Sequence, residues 1–455
     1  MTCIPRRGVL APVLFTLLAA ASLAALAPAA PAHGAEPSIV FAALDILTQR
    51  HVANPNPTRL LDAAVEGLRQ ALFRVGIAVQ LANVTAADRA AARTEFQSQF
   101  DRALAAGQRT IGNSSETVLQ YFAAAIMAGS LDDSHTWFLT PEQWQELLRR
   151  QRGEASYYGL GIRVLYQDSR FYISDVYPEG PAARAGLRTL DRILAFDGRA
   201  TAGMPLQQVV ARIRGIQGAS VSVTVQRPGQ TEPLAVPVAY APIMIPTRES
   251  RMLDGSIGYI KLRQFIQGSS GDIGKALDEL QGRGMRGLVL DLRGNLGGSD
   301  QELGQIASMF LSPGLPVATM RERQGERIEL LTAGDPRVSA STAITVIIDR
   351  ETTSAGEVLA AAFQEHSRGP LVGGRTAGRV GYGAGFALPG GAAIMVTVRS
   401  VGTGRDVVLE KQGVRPDVGV DLPTAELDRG VDAQLQRAVQ LTVQRVAALH
   451  PAAGR

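Results

Sequence analysis

The run Ala343-Ile344-Thr345-Val346-Ile347-Ile348-Asp349 is followed closely by Glu351-Thr352-Thr353-Ser354-Ala355-Gly356-Glu357 and an Ala-rich stretch ending at Phe363, and this junction decides the fold. A short, almost wholly apolar run rich in β-branched residues reads as a buried strand, and the stretch after it as a helix. A small hydroxyl residue at a strand–turn–helix junction is the nucleophile-elbow arrangement. It exposes Ser354 at a helix N-terminus, where free N–H groups and the helix dipole stabilise developing negative charge. A serine in that place can also serve simply as an N-cap.

Working outward, Gly287-Leu288-Val289-Leu290-Asp291-Leu292 is a second buried strand, followed by Arg293-Gly294-Asn295-Leu296-Gly297-Gly298. Ile257 to Leu262 is a third, and Gly271 to Gln281 a helix between them. Strands alternating with helices over 241–425 predict an α/β sheet covered on both faces.

Further upstream the period changes. Gly159-Leu160-Gly161-Ile162, then Phe171 to Val176, Gly180 to Leu187, Asp191 to Gly198 and a helix near Pro205 to Ile213 follow in order. This set resembles a PDZ domain over 156–240. The resemblance implies that glycines 159 and 161 let backbone N–H groups converge on a peptide carboxylate, while a strand edge takes the peptide as an added strand. Leu190 stands where such domains usually have glycine.

Residues 37–155 read as helical, with apolar positions at helical spacing through Leu60, Leu61, Ala64, Leu68 and Leu72, and again through Val118, Tyr121, Phe122 and Ala125. Asn54-Pro55-Asn56-Pro57 is a turn, and Thr58 is the expected cap of a helix starting near Arg59. Leu131 to Glu142 breaks the pattern and contains Ser134-His135, and Thr140-Pro141 opens another helix.

Arg6 and Arg7 before an apolar run from Val9 to about Ala30, with small residues from Ala32 to Ala35, form a secretory signal. Periplasmic or secreted placement is expected. An uncleaved run would instead anchor the chain to the inner membrane, since about 20 apolar residues span a bilayer. The one cysteine, Cys3, precedes the run, so a processed chain has none, which suits an oxidising space. Net charge is +4, without a basic run interleaved with aromatics, so nucleic acid is not an expected partner. With no HExxH and no P-loop, neither a metal nor another cofactor is expected.

The order of the segments, helical part, PDZ insert, Asp-Leu-Arg-x-Asn-x-Gly-Gly and then x-x-Ser-Ala-x-Glu, resembles the C-terminal processing (tail-specific) serine peptidases of family S41 over nearly the whole chain. The resemblance implies a multidomain α/β (α+β) fold: signal 1–35, helical domain 36–155, PDZ β-domain 156–240, ClpP/crotonase-like α/β serine protease core 241–425 and C-terminal helix 426–455. It implies Ser354 as nucleophile of a serine endopeptidase, an oxyanion hole from Gly297 or Gly298 with Ala355, and protein or peptide C-termini as ligands. A homo-oligomer or an adaptor protein is open as a further partner.

One departure stands out. The family's base is a lysine 25 residues after the serine, with a glutamine four residues on; this chain has Arg379 and Gly383. Buried lysine can become a neutral amine, whereas guanidinium stays charged. A catalytically silent scaffold is therefore the alternative. A second branch, similar to the tricorn core protease, uses a histidine beside a serine and a glutamate before a Gly-Val-x-Pro-Asp turn. That resemblance implies His135 as base, oriented by Glu410 or Ser134, whereas lysine-type members of the family often carry an Asp-x-His motif at this position in which the histidine has a structural role. His366 is expected at the surface, and His51 and His450 lie in no motif. The closing helix, Leu427 to about Leu449, carries an apolar stripe at Leu435, Val439, Leu441, Val443 and Val446 that would dock on the core or form a dimer contact.

Overall fold

The computed structural model describes residues 36–449 apart from 153, 155 and 156. The expected signal segment and His450 lie outside them. Among the described residues no helix is long and apolar enough to cross a membrane. The chain forms two compact units, one from residues 36–145, 321–326 and 381–400, the other from 146–320, 327–380 and 401–449.

The first unit is built on helices Ser38–Arg50, Pro57–Arg74, Arg89–Ile111 and Ser115–Gly129. Their apolar stripes meet in one core containing Leu44, Leu61, Leu68, Phe96, Phe100 and Phe122. Gly67 is required there, because a Cβ would lie 2.5 Å from the Phe122 carbonyl oxygen. The second helix is capped by Asn56, not Thr58: Arg59 N–H donates to Asn56 Oδ1 at 3.1 Å and Pro57 takes the first helical position. Thr58 Oγ1 instead donates to the Ala86 carbonyl at 2.6 Å. A short strand, Trp137–Leu139, interrupts the expected helical part. It pairs antiparallel with Ala393–Thr403, which pairs in turn with Gly381–Ala387, so a segment expected inside the protease core falls in the helical unit.

The second unit holds the PDZ domain and the α/β core. The core sheet runs in the order Arg248–Leu253, Ile257–Leu262, Gly287–Asp291, Ala343–Ile348, Leu371–Gly373, Val418–Gly419, parallel except for its first pair. Every residue of its four middle strands is buried. Helices Ser269–Gly282, Asp300–Ser308 and Ala355–Glu365 pack on the face of Ile260, Leu288 and Ile344, and Ala433–Leu449 covers the face of Tyr259, Val289 and Ile347. The closing helix therefore docks on the core. It is preceded by a separate turn of helix, Thr424–Leu427, and it buries Gln434, Ala438, Thr442 and, as expected, Val446, while Leu435, Val439 and Leu441 of the expected stripe pack half-buried beside them and Val443 stays exposed. Small residues win that face because the helix lies close on the sheet: a Cβ at Gly287 would meet Thr442 Cγ2 at 2.7 Å.

In the PDZ domain, Ile162–Gln167, Arg170–Val176, Arg192–Phe196, Ser220–Gln226 and Leu234–Ala239 form the main sheet, and Ile162–Gln167 is one of its edges. Leu190 takes φ 72°, the left-handed conformation that glycine adopts without penalty. The turn survives because Asp191, fully buried, holds Arg227 in a two-pronged pair at 2.9 and 2.7 Å.

Candidate active site

The elbow is built by the end of the Ala343–Ile348 strand and the start of the Ala355–Glu365 helix. Ser354 has φ 52° and ψ −122°, a costly conformation for a residue with a side chain. Three groups of bonds hold it. Ser354 N–H donates to the Arg379 carbonyl at 2.9 Å and to Glu357 Oε2 at 3.1 Å. Thr353 donates through both its N–H, at 2.9 Å, and its Oγ1, at 3.0 Å, to the Asn295 carbonyl. Thr352 Oγ1 donates to the Leu292 carbonyl at 2.9 Å. The elbow is thus tied to Leu292 and Asn295 through its threonines and to Arg379 and Glu357 through Ser354.

In the Arg293–Gly298 loop Gly297 and Gly298 are held differently. Gly297 N–H donates to Asn295 Oδ1 at 2.8 Å, so it is engaged. Gly297 is needed for space, since a Cβ would stand 2.5 Å from Ser354 Cβ and 3.0 Å from its Oγ. Gly298 bridges Phe265 in parallel fashion: Phe265 N–H donates to the Gly297 carbonyl and Ser299 N–H to the Phe265 carbonyl. That pattern leaves Gly298's own N–H facing away from the bridge. Ala355 N–H opens the helix, where backbone donors lack partners. The N–H groups of Gly298 and Ala355 thus have no backbone partner given by the bridge or by the first helical turn, beside Ser354.

Glu357, fully buried, was quoted within the motif but given no role. Its carboxylate accepts Thr376 Oγ1 at 2.5 Å, Gly378 N–H at 2.7 Å, Arg379 N–H at 2.9 Å and Ser354 N–H at 3.1 Å. Burial pushes its pKa above the usual glutamate range although all four donors pull the other way. Arg379 is pinned by its backbone beside Ser354, and its side chain is exposed with no polar partner among the described residues. Glu410 Oε2 accepts Val380 N–H at 2.7 Å and so fixes the turn that follows Arg379.

In the helical unit, Ser134 Oγ lies 2.7 Å from His135 Nδ1, and His135 N–H donates to Asp133 Oδ1 at 2.9 Å. The imidazole is half-buried against a strand glycine, since a Cβ at Gly381 would meet its Nδ1 at 3.0 Å. Asp133 belongs to the Asp-x-His spacing, but its partner was not anticipated: His51, buried, contacts Asp133 Oδ2 through Nε2 at 2.8 Å. No sequence signal joins positions 82 residues apart. His366 is half-buried and holds the Pro316 carbonyl through Nε2 at 2.8 Å, so it is not a free surface side chain.

The peptide-binding segment is partly spent on the PDZ domain itself. Leu160 N–H donates to the Ile213 carbonyl at 3.0 Å, and Gly159 lies in a small sheet with Arg214–Gly215 and Ala241–Ile243. Gly161 takes φ 75°. Ile162 pairs opposite Val176 while Tyr177 N–H donates to the Gly161 carbonyl, so Ile162's own N–H faces the free sheet edge. The next residue, Arg163, donates to the Gly294 carbonyl and contacts Glu351 Oε2 at 2.7 Å, which wires the peptide-edge strand to both the oxyanion loop and the elbow. Arg263, 1% exposed, clamps Asp175 of the PDZ sheet at 2.7 and 2.8 Å. Among the described residues no group of three His, Cys, Asp or Glu side chains gathers to hold a metal.

Residues 256–420 match Peptidase family S41 and residues 172–227 a PDZ domain. The carboxyl-terminal-processing protease of Synechocystis sp. is 33% identical over 351 residues, which is 75% of this chain and 81% of that one. The chain belongs to the S41 carboxyl-terminal-processing peptidases. A second S41 relative, from Picosynechococcus sp., is 34% identical over 330 residues, 71% of this chain and 79% of that one. The solved photosystem II D1 C-terminal processing protease superposes with a TM-score of 0.53 at 26% identity, covering 88% of this chain and 98% of that one. As an S41 enzyme this chain is a serine-type peptidase, and its PDZ domain marks peptide or protein C-termini as what it binds.

Proposed function

We propose that this peptidase captures unstructured protein C-termini as an added strand along the edge of Ile162–Gln167 and cleaves them by attack of Ser354 Oγ on a peptide carbonyl. One observation carries the reading: Ser354 is held in a strained elbow with Gly297 packed against its Oγ and the N–H groups of Gly298 and Ala355 uncommitted. We assign His135 as the base. In this reading Nε2 takes the serine proton, and Ser134, with its Oγ 2.7 Å from Nδ1, has the orienting role. Glu410 supports the Arg379 turn through the main chain. Arg379 remains charged and takes no proton; its exposed guanidinium stands where the family's lysine would. The residues before 36 direct export to the periplasm or beyond, with removal of the apolar run; N-terminal sequencing of cell-derived protein should begin between Ala32 and Glu36, and an intact start in the membrane fraction would make it an anchored protein.

The test is cleavage of a folded protein bearing an apolar unstructured tail, together with fluorophosphonate labelling at neutral pH. Ser354→Ala should abolish both, and His135→Ala should cut kcat about 10³-fold or more. A protein that binds such tails but neither cleaves nor labels would establish the second reading, a PDZ scaffold silenced by Arg379.

A further inference from the structure

The elements that carry His135 contain a second histidine with a fully defined hydrogen-bond state. Ala53 N–H donates to His51 Nδ1 at 3.0 Å, so Nδ1 is an acceptor, and the ring's one N–H must be on Nε2, which points at Asp133 Oδ2 at 2.8 Å. The other oxygen of Asp133 accepts the main-chain N–H of His135 at 2.9 Å and the hydroxyl of Thr397 at 2.5 Å. Thr397 in turn donates its N–H to Thr136 Oγ1 at 3.0 Å, and its carbonyl accepts Val52 N–H at 2.9 Å. Residues 51–53, 133–136 and 397 therefore form one closed set of bonds around the peptide unit that presents His135. His51 is 3% exposed, so water does not substitute for its N–H.

We propose that the His51–Asp133 pair is a positioning device for His135: it fixes the backbone of His135 while Ser134 fixes its ring. His51 touches neither Ser354 nor substrate in this scheme and acts only through Asp133 and the main chain. The proposal rests on the assignment of His135 as the base. Its physical sense is that a proton acceptor must be held to a fraction of an ångström, and a misplacement of about 1 Å costs on the order of 10²-fold in rate. Burial works against the Asp133 carboxylate, but the donors from His51, Thr397 and His135 outweigh it and hold its pKa at about 2, so the anchor stays ionised through the working range.

Two substitutions separate positioning from packing. Glutamine at 51 places an amide N–H near the imidazole Nε2 and restores the donor to Asp133; asparagine places its oxygen near Nδ1, satisfies Ala53 and leaves Asp133 without a donor. In the full-length protein, folding is checked by circular dichroism melts, and kcat, KM and the labelling rate of Ser354 are read on the tailed substrate. His51→Ala and His51→Asn should lower kcat and labelling about 10- to 100-fold with KM changed less than about 2-fold. His51→Gln should recover to within about 3-fold of wild type, and His51→Ala should cost nothing further in a His135→Ala background. If His51→Ala does not fold, the Gln and Asn variants decide. Wild-type kcat in folded His51→Ala, or equal activity of the Gln and Asn variants, overturns the positioning role while an inactive His135→Ala keeps the base assignment. An active His135→Ala sinks the base assignment itself, and this proposal with it.

Discussion

Two carboxylates, a half-buried one in one unit and a fully buried one in the other, stand behind the two candidate catalytic residues and are shifted in opposite directions. Asp133 accepts the N–H of His135, a threonine hydroxyl and a histidine N–H, and is held at about 2. Glu357 accepts the N–H of Ser354, a threonine hydroxyl and two further backbone N–H groups, yet its pKa lies above the ordinary range. Burial opposes ionisation at both. The glutamate is fully enclosed at 0% exposure, whereas the aspartate side chain retains 18%. Similar donors thus give opposite outcomes because desolvation wins at one site and hydrogen bonding at the other. The lesson is that both residues serve as multi-point acceptors for main chain, and only one of them is an easy charge to keep.

Removing the Glu357 acceptor should do the most damage. In Glu357→Gln the one carboxamide oxygen can serve only two of the four donors and its NH₂ confronts the other two, so a loss of about 3–5 kcal/mol in urea unfolding is expected, with Ser354 labelling collapsing alongside. Asp133→Asn should cost less, about 2–3 kcal/mol, because one oxygen can still take His135 N–H while the amide opposes His51 Nε2–H.

The opposite shifts give opposite pH dependence. Asp133 is depressed from 3.8 to about 2, so its contribution, on the order of 2 kcal/mol, is present above about pH 4 and is lost as pH falls towards 2. Glu357 is raised, so its contribution is present below the ordinary 4.5 and is lost as pH rises through its folded value. Unfolding titrations should therefore show the gap between wild type and Asp133→Asn narrowing in acid and the gap to Glu357→Gln widening. Parallel slopes would refute the contrast. The smallest effect separates the two threonines. Thr376 Oγ1 also accepts a main-chain donor, Val414 N–H at 2.7 Å, whereas Thr397 Oγ1 accepts only the rotatable Thr136 hydroxyl at 3.2 Å, so Thr376→Val should cost about 2 kcal/mol by thermal melts, against about 1 kcal/mol for Thr397→Val.

Much of this site could be read from local pattern. The elbow and the glycine pair facing it were legible because each demands a residue type at a fixed place in the chain: Gly297 and Gly298 sit at φ 72° and 140°, and Ser354 at a strand–helix junction. Leu190 shows the limit of that logic. A missing glycine suggested a doubtful turn, and the buried Asp191–Arg227 pair holds the turn regardless. In the last helix hydrophobicity points to Leu435 and Val439, which pack half-buried on the core, while the close approach of helix to sheet puts the smaller Ala438 and Thr442 at the centre of the contact.

By itself the sequence determined the order of the parts, the PDZ and S41 character, the place of Ser354 and the absence of a lysine at 379, since all of these are carried by adjacent residues and their spacing. The tertiary structure alone decided which glycine keeps a free N–H, that Leu160 spends its own on Ile213, that Glu357 gathers the Arg379 turn under the serine, and that His51 anchors Asp133. Each of these is a hydrogen bond between groups far apart in the chain, and a donor has no preferred distant acceptor until folding brings one to it and removes the water that would otherwise serve.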